Sequence, residues 1–156
     1  MPATARVYIK ASILYLGIGA ILGSLLLIHR WIPLGTWVLG LRVSHVQFLM
    51  VGWLTQLVLG VGWWLFPPLR IGLRSGKPLP GRRGQAQRGS EALFWATFAF
   101  LNLGILLRGI FEPLYVWTGI ANFQVLASVS GFFLLAAAIA FVQNVWDRVR
   151  ALGKDR

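Results

Sequence analysis

Four apolar runs, each close to the roughly 20 residues a helix needs to cross a hydrocarbon core, constrain this chain more than anything else in it. They cover about residues 7–29, 45–66, 91–112 and 123–146. A bilayer interior offers no water to satisfy exposed backbone groups, so such runs have to form helices. A spanning barrel would instead need alternating segments of about ten residues, and none is present. The reading is an all-α integral membrane four-helix bundle, with helices at about 7–30, 44–67, 90–112 and 122–147. They form a single transmembrane domain over 1–156, with a basic linker at 68–89. A composition of 57% apolar and 12% charged residues agrees with that class. The absence of cysteine removes disulfides, iron–sulfur clusters and thiolate chemistry.

Punctuation marks the ends of the runs. Pro33 and Gly35 follow the first, and Pro67-Pro68 stop the second. Ser44 with Gln47 three residues on resembles a capping box for helix 2. Ser90-Glu91 caps helix 3 and Pro113 ends it. The Gly-, Pro- and Arg-rich linker reads as irregular and mobile. The first run is longer than a signal-peptide core and is followed by no small-residue cleavage site, so it reads as a retained span.

The net charge of +11 is not placed as a nucleic-acid reader would place it. Basic residues sit between the apolar runs, facing lipid headgroups. Arg6, Lys10, Arg70, Arg74, Lys77, Arg82, Arg83, Arg88, Arg148, Arg150, Lys154 and Arg156 fall on one side, against Arg30, Arg42 and Arg108 on the other. The positive-inside rule then puts both termini and the linker in the cytoplasm of a multi-pass cell (inner) membrane protein. Tryptophans 31, 37, 63, 64, 117 and 146 fit an aromatic belt. The lipid bilayer is the first partner, nucleic acid is not one, and a second copy or a partner membrane protein is a further candidate.

Ionisable groups inside a bilayer are costly and mark candidate sites. His29 closes helix 1 and His45 opens helix 2 at the same depth, with Arg30, Arg42, Arg108 and Glu112 at that level too. A plainer account remains open: helix-end histidines face headgroups, and Arg108 and Glu112, four apart, form an intrahelical ion pair. On helix 2, His45, Leu49, Gly52, Gln56, Gly60 and Trp63 recur at helical spacing and share a face. A histidine with Gly52 below it makes a slot for a flat group. Neutral imidazole is an axial ligand for haem iron, and Arg30, Arg42 or Arg108 can pair with the propionates. The glycines serve equally well as close-contact points between helices, as Gly19-x-x-x-Gly23 does in helix 1. Gln56 and Asn102 share mid-depth and read as mutual partners.

The stretch SHVQFLMVGWLTQLVLGVGWWLFPP (residues 44–68) resembles a helix of haem–copper oxidase subunit I and of NnrS-type membrane proteins. The likeness rests on His45, Gly52-Trp53, Gly60, Trp63-Trp64 and Pro67. It implies haem b with His45 as axial ligand, and His29 or the His45 of a second subunit opposite. Subunit I has about twelve spans and the oxidases use further histidines, so a binuclear oxygen- or nitric-oxide-reducing centre is not implied. The expected role is electron transfer, gas sensing or haem handling, by a protein that is more a binder than an enzyme: no nucleophile–base pair, carboxylate pair or phosphate loop is present. A cofactor-free accessory subunit packing against a partner complex is the competing reading. A transporter lacks a mid-membrane acidic ligand.

Overall fold

The computed structural model describes residues 2–66, 69–70, 86–87 and 89–151. The chain is an all-α, multi-pass membrane protein in which four helices are long and apolar enough to span a membrane. In chain order these are α1 (Ala3–Ile28), a composite span from Trp37 to Leu65, α4 (Glu91–Thr118) and α5 (Ala121–Ala151). The composite span consists of α2 (Trp37–Gln47), a π-helical segment (Phe48–Thr55) and α3 (Gln56–Leu65). Thr55 donates its hydroxyl to the Met50 carbonyl five residues back, at 2.8 Å, matching the wider π winding. A short antiparallel pair, β1 (Leu69–Arg70) with β2 (Ala86–Gln87), closes the base of the linker. The rest of the expected irregular linker, Pro67-Pro68 included, lies outside the described residues.

Tyrosines on α1 fill gaps left by glycines on the composite span. Tyr8 packs where a side chain at Gly60 would stand, and Tyr15 does the same at Gly52. Leu49 lies on Gly19 and His45 on Gly23, so Gly19-x-x-x-Gly23 is indeed a close-approach surface. These contacts descend one helix as they climb the other, which defines an antiparallel pair running the full span. Two buried clusters then tie in the other helices. Tyr8, Trp63, Phe94 and Val145 meet toward the end that carries the termini, and Tyr15, Phe48, Leu101, Ile105 and Ala137 meet above them.

Several boundaries differ from the sequence reading. The second span begins at Trp37 rather than near residue 44, so Ser44 lies within the helix and caps nothing. Helix 3 continues through Pro113 to Thr118 and stops at Gly119, which takes the left-handed conformation (φ 69°). Proline at 113 withholds the N–H that the Gly109 carbonyl would accept. Ser44 Oγ supplies a donor to that carbonyl instead, at 2.6 Å, and the helix is not broken. Ser90 does cap α4: its hydroxyl accepts from Leu93 N–H at 3.3 Å. Asn144 of α5 holds the Ser90 backbone from both sides, accepting its N–H at 2.8 Å and donating to its carbonyl at 2.9 Å.

At the terminal end Arg148 belongs to α5 rather than to a tail, and it is fully buried. Its guanidinium donates to the Trp63 and Phe66 carbonyls and lies over both rings. Trp63 is correspondingly a core residue stacked on Phe94 at 4.3 Å, not a belt residue. Trp31, Trp37, Trp64, Trp117 and Trp146 are exposed as a belt requires.

Candidate functional site

The structure brings four of the six candidate residues together. His29, Arg30, Arg42 and His45 line one groove of about 630 Å³ between α1 and α2, at the end of the bundle away from the termini. Gly23 and Ser24 also line it, and Leu26, Leu27, Leu39 and Val46 supply its apolar lining. Two helix ends create it. α1 stops at Ile28 with His29 as its C-cap, and the chain turns back through Gly35, whose φ of 101° only glycine adopts readily. The composite span then returns along α1 from Trp37.

The histidines differ in the nitrogen they present. His45 Nδ1 lies 2.8 Å from the Gly19 carbonyl oxygen. A carbonyl can only accept, so in the neutral ring Nδ1 carries the proton and Nε2 keeps its lone pair. Nε2 has no hydrogen-bond partner among the described residues, and His45 is half-buried with its ring on the groove wall. His29 is the reverse: its Nδ1 accepts the Leu34 N–H at 3.2 Å, which places the proton of the neutral ring on Nε2. His45 thus has its Nδ1 anchored on α1, with the Nε2 lone pair uncommitted in the neutral ring. His29 is set up as a donor.

Two expected participants are elsewhere. Gly52 does not open a slot beneath His45, because Tyr15 occupies that space; a Cβ at Gly52 would stand 2.6 Å from Tyr15 Cγ. Arg108 lies in a separate groove between α4 and α5, where its Nε donates to Glu112 at 3.0 Å. The intrahelical ion pair is thus the correct account of Arg108. Gln56 and Asn102 are not partners either. Asn102 accepts from the Tyr15 hydroxyl at 2.9 Å and donates to the Phe98 carbonyl at 2.8 Å. Gln56 is fully buried with neither side-chain polar atom partnered among the described residues. The sequence offered the i−4 relation between Pro113 and Gly109, but nothing in it pointed to Ser44 as the compensating donor.

Among the described residues no group of three or more His, Cys, Asp or Glu side chains converges on one point. The groove is lined by two imidazoles and two guanidinium groups and carries no carboxylate. Comparison with protein-family models, with curated proteins and with solved structures gives no match.

Proposed function

We propose that this chain is a small haem-binding membrane protein, holding haem b in the α1–α2 groove through His45 Nε2. The hydrogen bond from His45 Nδ1 to the Gly19 carbonyl carries this reading, because it fixes the tautomer an axial ligand needs. Arg30 and Arg42 line the same groove and would pair with propionates, while Leu27, Leu39 and Val46 would offer the macrocycle an apolar wall. The bound group would supply one-electron or gas-binding chemistry for electron transfer, gas sensing or haem handling. The protein's own part is to hold the imidazole, neutralise the carboxylates and exclude water on the α1 side. His29, whose Nδ1 already accepts the Leu34 N–H, would serve as a hydrogen-bond donor at the groove rather than as a second imidazole ligand. The Lys/Arg asymmetry supports a cell (inner) membrane location with the groove on the outer side.

A specific observation favours a second reading, a cofactor-free subunit that packs against a partner complex. The helix 2 glycines are already filled by Tyr8 and Tyr15, so the bundle interior is complete without a cofactor. Absorption spectra of the detergent-purified protein, oxidised and dithionite-reduced, separate the two. A Soret band with sharpened reduced α/β bands, lost in His45→Ala and kept in His29→Ala, is the expected result. A protein that stays colourless after reconstitution with haemin overturns the haem reading and leaves the packing subunit.

A further inference from the structure

Both helices that form the α1–α2 groove set an arginine outward of an apolar residue. Arg30 donates its backbone N–H to the Leu27 carbonyl at 3.1 Å, which stacks it one turn beyond Leu27 at the end of α1. α2 runs the opposite way, so Arg42 stands one turn nearer that same end than Val46. All four residues line the groove, and all four are exposed. Below Leu27 the lining continues down α1 through Gly23 and Ala20, at spacings of four and three. Neither guanidinium makes a hydrogen bond or an ion pair among the described residues. No carboxylate lines the groove, and Glu112 lies in another one, taken by Arg108.

We propose that this groove binds an anionic phospholipid of the leaflet at the end away from the termini. Its phosphodiester lies between Arg30 and Arg42, and one acyl chain follows Leu27, Ala20 and Val46. Two unpaired guanidinium groups call for an anion, and their planar forks match phosphate oxygens. A soluble anion would serve the arginines and leave the apolar stripe unused. A zwitterionic lipid brings an ammonium group for which the groove has no carboxylate. An amphiphile with an anionic head outward and its chain inward uses every part of the lining. Arg30 and Arg42 cannot serve propionates and a phosphodiester at once, so the lipid is the occupant of the haem-free chain. Its binding does not depend on haem.

Phosphatidylglycerol and phosphatidylcholine carrying the same acyl diazirine, each photoactivated in bilayers with haem-free protein, test this. Peptide mapping should place phosphatidylglycerol on residues 20–27 and at Val46, roughly tenfold above phosphatidylcholine. Arg30→Gln combined with Arg42→Gln should remove that preference, and Arg108→Gln, in the other groove, should leave it intact. The two arginines are exposed and unpaired, so the double variant is expected to elute as folded protein in detergent. Should it fail to fold, each single substitution is expected to lower the labelling ratio. Equal labelling by the two probes in the wild-type chain, or a preference that survives these substitutions, would overturn the proposal. So would a preference abolished by inorganic phosphate at constant ionic strength, in favour of a soluble anion. Because the protein is haem-free throughout, a failure to bind haemin leaves a positive result standing, and haem binding without lipid labelling overturns the lipid assignment alone.

Discussion

Ser44 donates its hydroxyl to the Gly109 carbonyl at 2.6 Å, and Gly109 is the residue whose carbonyl Pro113 leaves without its helical N–H. The two helices are therefore coupled through a defect in one and a donor in the other. Ser44→Ala should destabilise the fold by about 0.6 kcal/mol and at most about 1.7 kcal/mol, the average and upper end for interhelical hydrogen bonds in membranes. In a Pro113→Ala background the restored N–H serves Gly109, and most of that cost should vanish. A double-mutant cycle by SDS-titrated unfolding in bicelles checks this; equal costs in both backgrounds would show that the two residues act separately.

Gly23 and Gly17 provide a matched pair for the groove. A Cβ at Gly23 would sit 2.5 Å from His45 Cε1, whereas one at Gly17 meets nothing within 4 Å. Gly23→Ala is expected to push the imidazole off the Gly19 carbonyl and to weaken haem retention at least tenfold with His45 still present. Gly17→Ala should leave the spectrum unchanged and gain up to about 1 kcal/mol of helix propensity. The reduced spectra of both variants, beside wild type, read this out. An unaltered Gly23→Ala spectrum would remove the anchored tautomer as the basis of ligation.

Apolar run length made the four helices legible in the sequence, because the bilayer leaves an apolar run of that length little alternative to a helix. Helix ends were less legible, since their signals are relational. Pro113 ends a helix only if the Gly109 carbonyl goes unserved, and Ser44 serves it from 65 residues away. Ser44-x-x-Gln47 matched a cap by spacing, but helix 2 had begun seven residues earlier at Trp37. Of the residues that depth groups near one end, His29, Arg30, Arg42 and His45 line one groove. Depth could not say which groove a residue faces, so Arg108 was misplaced with them. Nor could it show that tyrosines from α1 fill the gaps at Gly52 and Gly60.

Gln56 has both side-chain polar atoms buried without partners among the described residues. Replacing such a group by an apolar one of similar shape removes a desolvation penalty of about 1–3 kcal/mol. Gln56→Met is accordingly expected to raise stability in the same unfolding assay. A clear loss would mean that the amide is satisfied by an internal water, which a buried polar site can hold.

Arg148 closes the terminal end of the bundle. Its Nη2 donates to the Trp63 carbonyl at 3.0 Å and to that of Phe66, serving the last turn of α3, where intrahelical donors run out. The guanidinium also lies 4.9 Å from the Trp63 ring centre, so charge, hydrogen bonds and stacking act on one residue. Arg148→Met keeps the stem but removes the donors, and should cost about 1.5–3 kcal/mol, the range for hydrogen bonds to charged groups. Arg148→Lys should recover only part of this, because an ammonium lacks the planar fork that serves two carbonyls and stacks on a ring. Amide exchange in residues 60–66 should accelerate more than in α1 near Gly19, since the lost contacts lie at the α3 end. Uniform acceleration across the bundle would instead mean that Arg148 contributes only to global stability and does not fasten this helix end.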